Sequence, residues 1–314
     1  MRGPQRNATD FFMLSGVHIL LSYTCLYQCD HCFLHCSPAS GGTFTFAKLK
    51  RLLDQAAEMD TVRRVAFEGG EPFLFYPLMV QGIEYARKLG FEIEAVTNGY
   101  WALDPEDAKH WLGPLVEAGL SMLDVSDDEL HHGDADPSPA KAALKAAREM
   151  GLESHAFTLD PPTVRRDAEG KQRGEPIVGG GIRFRGRAAD KLVSGLPRRD
   201  WREFGKCPDE DLVAPRRVHV DALGLVQLCQ GVSIGNIWRR PLKDIMRDYD
   251  PEAHPICRPL LHGGPAGLAR EQGLDRAEDF PDGFVDACHL CYHARRAIWE
   301  SFPEELAPPQ AYGE

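Results

Sequence analysis

A chain of 314 residues, 43% apolar and 26% charged, can bury one large core or a domain with a smaller companion, which excludes disordered, collagen-like and fibrous classes. With 36 basic against 47 acidic residues the net charge is −11, so the molecule lacks the field that gathers polyanions, and nucleic acid is not expected as a partner. No run reaches the ~20 apolar residues that span a bilayer, so no membrane partner is expected either.

Residues 1–16 read as an N-terminal extension. Arg2 and Arg6 precede the apolar runs Phe11–Leu14 and Val17–Leu21, as in a secretory leader, but Ser15, Gly16 and His18 interrupt them and no small-residue cleavage site follows. The expectation is a cytoplasmic protein. A reducing compartment makes metal ligation the leading use for its nine cysteines, four between Cys25 and Cys36 and five between Cys207 and Cys291.

From Val17 to Asp160 short apolar runs alternate with helical patterns. Strands are expected at Val17–Cys25, Val62–Phe67, Phe91–Val96, Ser121–Val125 and Glu153–Thr158. Helices are expected between them at Phe46–Met59, Leu78–Leu89, Pro105–Ala118 and Pro139–Met150. This order predicts an α/β fold with a parallel sheet covered by helices, open or curled toward a barrel. A polar loop carrying Arg165, Arg166, Asp167, Glu169, Lys171 and Arg173 runs to Pro176, and a sixth strand is expected at Ile182–Phe184. Beyond about Leu196 the chain turns to short strands and cysteines. A smaller domain is expected there, with a hairpin of 218–221 and 225–228 across Ala222-Leu223-Gly224.

The chemistry is concentrated in Cys25-Leu26-Tyr27-Gln28-Cys29-Asp30-His31-Cys32, directly after the first strand. Three thiolates on one loop can hold three corners of an iron–sulfur cube and leave the fourth iron open to a ligand. A zinc site with His31 as fourth ligand is the alternative.

The Cys25-x3-Cys29-x2-Cys32 pattern resembles the signature of the radical S-adenosylmethionine (SAM) enzymes. The resemblance covers roughly Val17 to Ala188 and implies a partial (β/α)6 TIM-like barrel, with core 17–195 and a C-terminal cysteine-rich, hairpin-containing part 196–314. Gly69-Gly70-Glu71-Pro72 ends the second strand where the family's GGEP motif binds the SAM amino group; Gly keeps the backbone accessible and Pro72 stiffens the turn. Thr97-Asn98-Gly99 and Ser126-Asp127-Asp128 end the third and fourth strands, so Asn98, Ser126 and Asp128 are expected at the methionine moiety and ribose. Gly186-Arg187-Ala188 matches a further tripeptide of that group.

Cys207, Cys229 after Gly224, Cys288 and Cys291 resemble the SPASM or shorter twitch extensions of the superfamily, implying one auxiliary 4Fe-4S cluster. The spacing from Cys207 to Gly224 is slightly long, and no cysteine follows Cys291, which speaks against a second auxiliary cluster. Cys257 is an alternative ligand, and structural zinc is the alternative metal. Cys36 is expected as a small buried thiol. His131 and His132 are read as solvated or as a substrate or metal contact. Arg183, Arg185, Arg187, Lys191, Arg198, Arg199 and Arg202 form a basic run that is mostly surface, with an acidic substrate as its conceivable ligand.

The resemblance implies that a reduced cluster splits SAM to a 5′-deoxyadenosyl radical, which abstracts hydrogen from a substrate. The expected substrate is a peptide or protein side chain, or alternatively a small molecule undergoing dehydrogenation. An electron donor such as flavodoxin or ferredoxin is the implied partner. A non-catalytic iron–sulfur carrier or zinc-stapled binding protein is the reading from another class.

Overall fold

The computed structural model describes residues 14–164, 168–169, 181–274, 280 and 282–314. The expectations for the run Phe11–Met13 and for Arg165, Arg166, Asp167, Lys171 and Arg173 lie outside them.

Strand β1 (Gly16–Ser22) alternates: Val17, Ile19 and Leu21 enter the main core, while His18 and Leu20 take the opposite face. Four parallel strands follow on one side, β2 (Arg64–Gly69), β3 (Glu92–Thr97), β4 (Met122–Ser126) and β5 (Glu153–Phe157). Helices α1 (Phe46–Ala57), α2 (Tyr76–Lys88) and α3 (Pro105–Ala118) cross between them; α4 (Glu129–His132) and α5 (Pro139–Glu149) join β4 to β5.

The helix limits follow from their ends. Thr45 caps α1 through Lys48 N, Asp104 caps α3 by accepting from Glu106 N and Asp107 N, and Gly119 stops α3 at φ 119°. Leu49, Leu52, Leu53 and Ala56 form the apolar stripe of α1 against the sheet, each leucine contributing about 1.5–3 kcal/mol by burial.

Two features depart from expectation. Ile182–Phe184 is not a strand: Ile182 and Phe184 are buried against Leu159, Val193 and Val285 and do not join the sheet. Alternate burial of two apolar residues needs only a core to enter, and it does not require a strand partner. The sixth parallel strand is β6 (Arg217–Asp221), which lies beside β1 at the far side of the sheet. From there β7 (Leu225–Cys229) and β8 (Val232–Asn236) run antiparallel as the hairpin and its continuation, giving the order β5-β4-β3-β2-β1-β6-β7-β8.

The remaining helices are α6 (Ala188–Lys191), α7 (Leu242–Asp248), α8 (Cys257–Glu271), which breaks at Gly264, and α9 (Ala287–Ile298). Gln55 of α1 ties the halves together, accepting from Leu242 N at 2.8 Å and donating to Ile237 O at 3.4 Å. Residues 196–314 thus share both sheet and core with the N-terminal βα units. No helix among the described residues is long and apolar enough to cross a membrane.

Candidate active site

Parallel strands end together, so the loops after β1 to β5 converge on one rim. The loop after β1 folds back on its own strand. Cys25 N donates to Ser37 O, and the hydroxyls of Ser22 and Thr24 donate to Gly42 O and Ser40 O. Arg187 buckles this loop from far along the chain: its N–H donates to Cys32 O at 2.9 Å, and its guanidinium to Cys29 O and Cys36 O at 2.8 Å each. Gly186 makes the approach feasible. It has φ 59°, and a Cβ there would sit 2.5 Å from Cys32 O.

The Gly-Gly pair serves packing of the same kind. A Cβ at Gly69 would lie 2.4 Å from Ser22 O, and one at Gly70 2.1 Å from Thr24 O, so the end of β2 presses onto the backbone that carries Cys25. Gly70 N and Glu71 N donate to those two carbonyls at 2.6 and 2.9 Å.

Glu71, expected to face the SAM amino group, is instead turned into the protein with no exposed surface. Its oxygens accept from Phe73 N, Thr97 Oγ1 and Asn98 N at 3.0, 2.8 and 2.8 Å, and burial raises its pKa to about 7. It braces the ends of β2 and β3. Pro72 opens the short 3-10 turn that follows, and behind it Phe73 stacks on Trp101 at 4.5 Å, whose indole donates to Thr97 Oγ1.

The cavity at this rim is lined by the three signature cysteines, Gly69, Gly70, Asn98 and Ser126, and spans about 240 Å³. Asn98 Nδ2 reaches Cys25 Sγ at 3.6 Å. Asp128, expected at the ribose, is engaged with protein partners: it caps α4, accepts from Leu159 N at 3.0 Å, and meets His131 Nδ1 at 2.8 Å. His131 Nε2 in turn meets His31 Nε2 at 3.2 Å, and His132 Nε2 meets Ser126 O at 2.8 Å. The two histidines are therefore half-buried members of a network, not solvated loop residues. This Asp128–His131–His31 chain was invisible in the sequence, since its ends stand 97 residues apart. Burial, and secondarily His131, lowers the pKa of His31 to about 4, which keeps it neutral.

Among the cavity arginines, Arg187 is committed to loop carbonyls, and Arg183 and Arg185 each pair with Asp209 at 3.1 Å. An acidic substrate would have to compete with these partners. Elsewhere in the basic run, Arg198 donates to Gly283 O and Arg202 pairs with Asp200.

The donor set suits a polynuclear centre. Burial pushes Cys25 up to about 11 and Cys29 up to about 12, so thiolates there need a cation beside them. Cys32 is lowered to about 6 because the neighbouring thiol of Cys36, itself 2% exposed, donates to it. Tetrahedral zinc with 2.3 Å bonds holds its sulfurs about 3.8 Å apart. Among the described residues no three thiols gather within 4.8 Å; the tight cluster at this rim is Cys29 with His31 and His131. The wider spread of Cys25, Cys29 and Cys32 fits ligation of separate irons.

The second group assembles around the end of β7. Cys229 stands there, Cys288 and Cys291 on the first turns of α9, Cys257 at the start of α8, and Cys207 on the loop that leads into β6. Each influences others electrostatically: Cys291 feels Cys207 and Cys229, Cys288 feels Cys229 and Cys291, and Cys257 feels Cys229, Cys291 and Cys207. Burial raises Cys257 and Cys291 to about 12 each. Cys257, fully buried, also hydrogen-bonds the Tyr249 side chain. Arg185 links the two groups, lining the first cavity while its Nη1 lies 3.1 Å from Cys229 Sγ.

Residues 19–167 match the model of the Radical SAM superfamily, whose members use a 4Fe-4S cluster and SAM. Two curated relatives share the N-terminal part. The YydG protein of Bacillus subtilis (strain 168), whose name places it in peptide biosynthesis, is 27% identical over 132 residues, 42% of this chain and 41% of that protein. The S-adenosylmethionine-dependent nucleotide dehydratase of Selenomonas ruminantium is 27% identical over 119 residues, 38% of this chain and 41% of the relative. The matched region thus spans about two fifths of either relative's length. The crystal structure of BtrN in complex with AdoMet and 2-DOIA shares the fold, at TM-score 0.51 and 18% identity, over 80% of this chain and 88% of BtrN.

Proposed function

We propose that the protein is a radical SAM oxidoreductase acting on a peptide or protein side chain, with Cys25, Cys29 and Cys32 holding the SAM-binding cluster. The observation that carries this reading is the convergence of these thiols with Gly69, Gly70, Asn98 and Ser126 on one cavity at the C-terminal strand ends. Bound there, a reduced 4Fe-4S cluster would supply the electron that splits SAM into methionine and a radical able to abstract hydrogen. The chain's own part is positional. Arg187 and Gly186 fix the cysteine loop, Glu71 and Thr97 set the rim, and Asn98 and Ser126 present polar groups to the cavity.

Phe157 and Leu159 line the cavity on the β5 side and give it an apolar wall there. Cys207, Cys229, Cys288 and Cys291 would hold one auxiliary 4Fe-4S cluster, which suits an oxidation because it can accept the second electron. The peptide substrate is supported by the relative named for peptide biosynthesis. A flavodoxin or ferredoxin would supply the reducing electron in a cytoplasmic setting.

The test is anaerobic reconstitution with iron and sulfide, an iron count, and assay of 5′-deoxyadenosine after dithionite and SAM. The expected result is about eight irons per chain, four for each cube, with deoxyadenosine formed. Tightly bound zinc without deoxyadenosine would overturn the reading in favour of a metal-stapled binding protein. Formation of a dehydrogenated small molecule in place of a modified peptide would move the substrate class.

A further inference from the structure

Beneath the SAM cavity the concave face of the sheet carries a second set of ligand-type side chains. His18 on β1, Glu68 on β2 and His219 on β6 stand on three adjacent strands with β1 in the middle, and His18 and His219 are directly paired in the parallel register. His18 alternates with Val17 and Ile19, whose side chains fill the helix-facing core, so it belongs to the opposite, inner face.

The donor atoms converge. His18 Nδ1 lies 3.2 Å from Glu68 Oε2, His219 Nε2 lies 3.4 Å from Glu68 Oε1, and one donor atom from each residue falls within 4.8 Å of the others. With metal–ligand bonds of about 2.1 Å, donors sharing an ion stand about 3.0 Å apart at right angles and about 3.4 Å at the tetrahedral angle.

Local hydrogen bonding leaves this set unsatisfied. His18 Nδ1, Glu68 Oε1 and His219 Nδ1 are buried atoms without a hydrogen-bond partner, and His219 is only 4% exposed. Burying such groups unpaired is costly, and of these atoms His18 Nδ1 and Glu68 Oε1 face the point of convergence, where a cation shared with His219 Nε2 would complement them. Among the described residues Gln230 also approaches the set, its Nε2 lying 3.4 Å from His219 Nε2. An amide N–H donating there occupies the lone pair of His219 Nε2, so a metal bound at that nitrogen would have to displace Gln230.

We infer that His18, Glu68 and His219 form a binding site for a divalent transition-metal ion at the floor of the SAM cavity. Two imidazoles and one carboxylate suit Fe²⁺, Mn²⁺, Co²⁺ or Zn²⁺ and leave coordination positions open. Glu68 lines the same cavity as Cys25, Cys29 and Cys32, so those positions face the space where substrate would enter. Water or an oxygen of the substrate, from a carboxylate, carbonyl or hydroxyl, would complete the shell and be held in place. This last role rests on the function proposed above, whereas metal binding itself does not.

The probe is Mn²⁺, read by loss of the free-ion EPR signal on titrating the full-length protein, anaerobic and with its clusters loaded and oxidised. The expected result is one Mn²⁺ per chain, displaced by Zn²⁺. Glu68→Gln, His219→Ala and the more tolerant His18→Ala should each weaken binding by roughly tenfold or more. His155→Ala, on the same concave face but paired with Asp124, should leave it unchanged. Iron content and melting temperature report that each variant is folded.

Absence of Mn²⁺ and Zn²⁺ binding, or equal binding in wild type and all three ligand variants, would overturn the site. The trio would then be an ion pair between Glu68 and a protonated His18. Mn²⁺ bound without any deoxyadenosine would leave the metal site standing and sink the radical reading. Deoxyadenosine without Mn²⁺ would do the reverse.

Discussion

Three of the N-terminal thiols stand on eight consecutive residues, Cys25 to Cys32, whereas the C-terminal five come from a loop, a strand end and the starts of two helices. The first group is ready-made by local spacing but would be a floppy loop on its own. Its shape is imposed by Arg187, some 150 residues away, and by glycines that let backbone press on backbone. The second group has no local spacing worth the name beyond Cys288 and Cys291. It exists because β7, α8 and α9 are already packed around the hairpin. A short ligand loop therefore needs long-range clamps, while a dispersed ligand set inherits its rigidity from the core.

That contrast can be broken most severely at the thiols. Replacing Cys25, Cys29 and Cys32 together by Ala should abolish deoxyadenosine formation and lower iron from about eight to about four per chain, since the other group is built independently. Iron analysis and chromatography of the reaction check it, and loss of all iron would mean that the two sites are not independent. The C-terminal set is sharpened by a pair of variants. Cys229→Ala should lose about four irons, while Cys257→Ala should keep about eight, because the Cys257 sulfur is already paired with Tyr249.

The clamps come next in size. Gly70→Ala forces a Cβ to within 2.1 Å of Thr24 O, a backbone atom that cannot step aside, and should cost about 3 kcal/mol or more in a denaturant titration. Arg187→Ala removes two side-chain bonds to Cys29 O and Cys36 O. It should cost about 2–3 kcal/mol and deplete the N-terminal cluster selectively; Arg187→Lys should recover only part, having no fork to span both carbonyls. Uniform iron loss from both sites would contradict the clamp.

The smallest effect concerns pH. Burial raises the carboxyl of Asp221, which meets Tyr23, Gln227 and backbone N–H groups of the hairpin turn, to about 6. A carboxyl raised on folding binds its proton more tightly in the native state. Its stabilisation is therefore complete below the unfolded value near 4 and is lost as pH rises through about 6, at up to about 1.4 kcal/mol per pH unit. The denaturation midpoint of wild type should fall relative to that of Asp221→Asn, which lacks this titration, between pH 4 and 7, and parallel curves would refute the assignment.

Much of the barrel was legible because its signals are local. Each of β1 to β5 and the four longer helices between them was marked by periodicity and by caps such as Thr45, Asp104 and Gly119. The signature cysteines were legible for the same reason. Ile182–Phe184 misled because alternate burial in a small cluster looks like a strand when only sequence is read. Glu71 misled in another way: its carboxylate turns inward to brace Thr97 and Asn98.

By itself the sequence determined the βα alternation, the loop of three thiols and the polar residues that follow each strand, because period, capping and spacing act over a few residues. Only the tertiary structure decided that β6 lies beside β1, that Arg187 closes the cysteine loop, and that His18, Glu68 and His219 meet on one face. Those outcomes depend on which strand edges remain free and which inner faces are brought together when the sheet curls, and such pairings join segments as far as 201 residues apart.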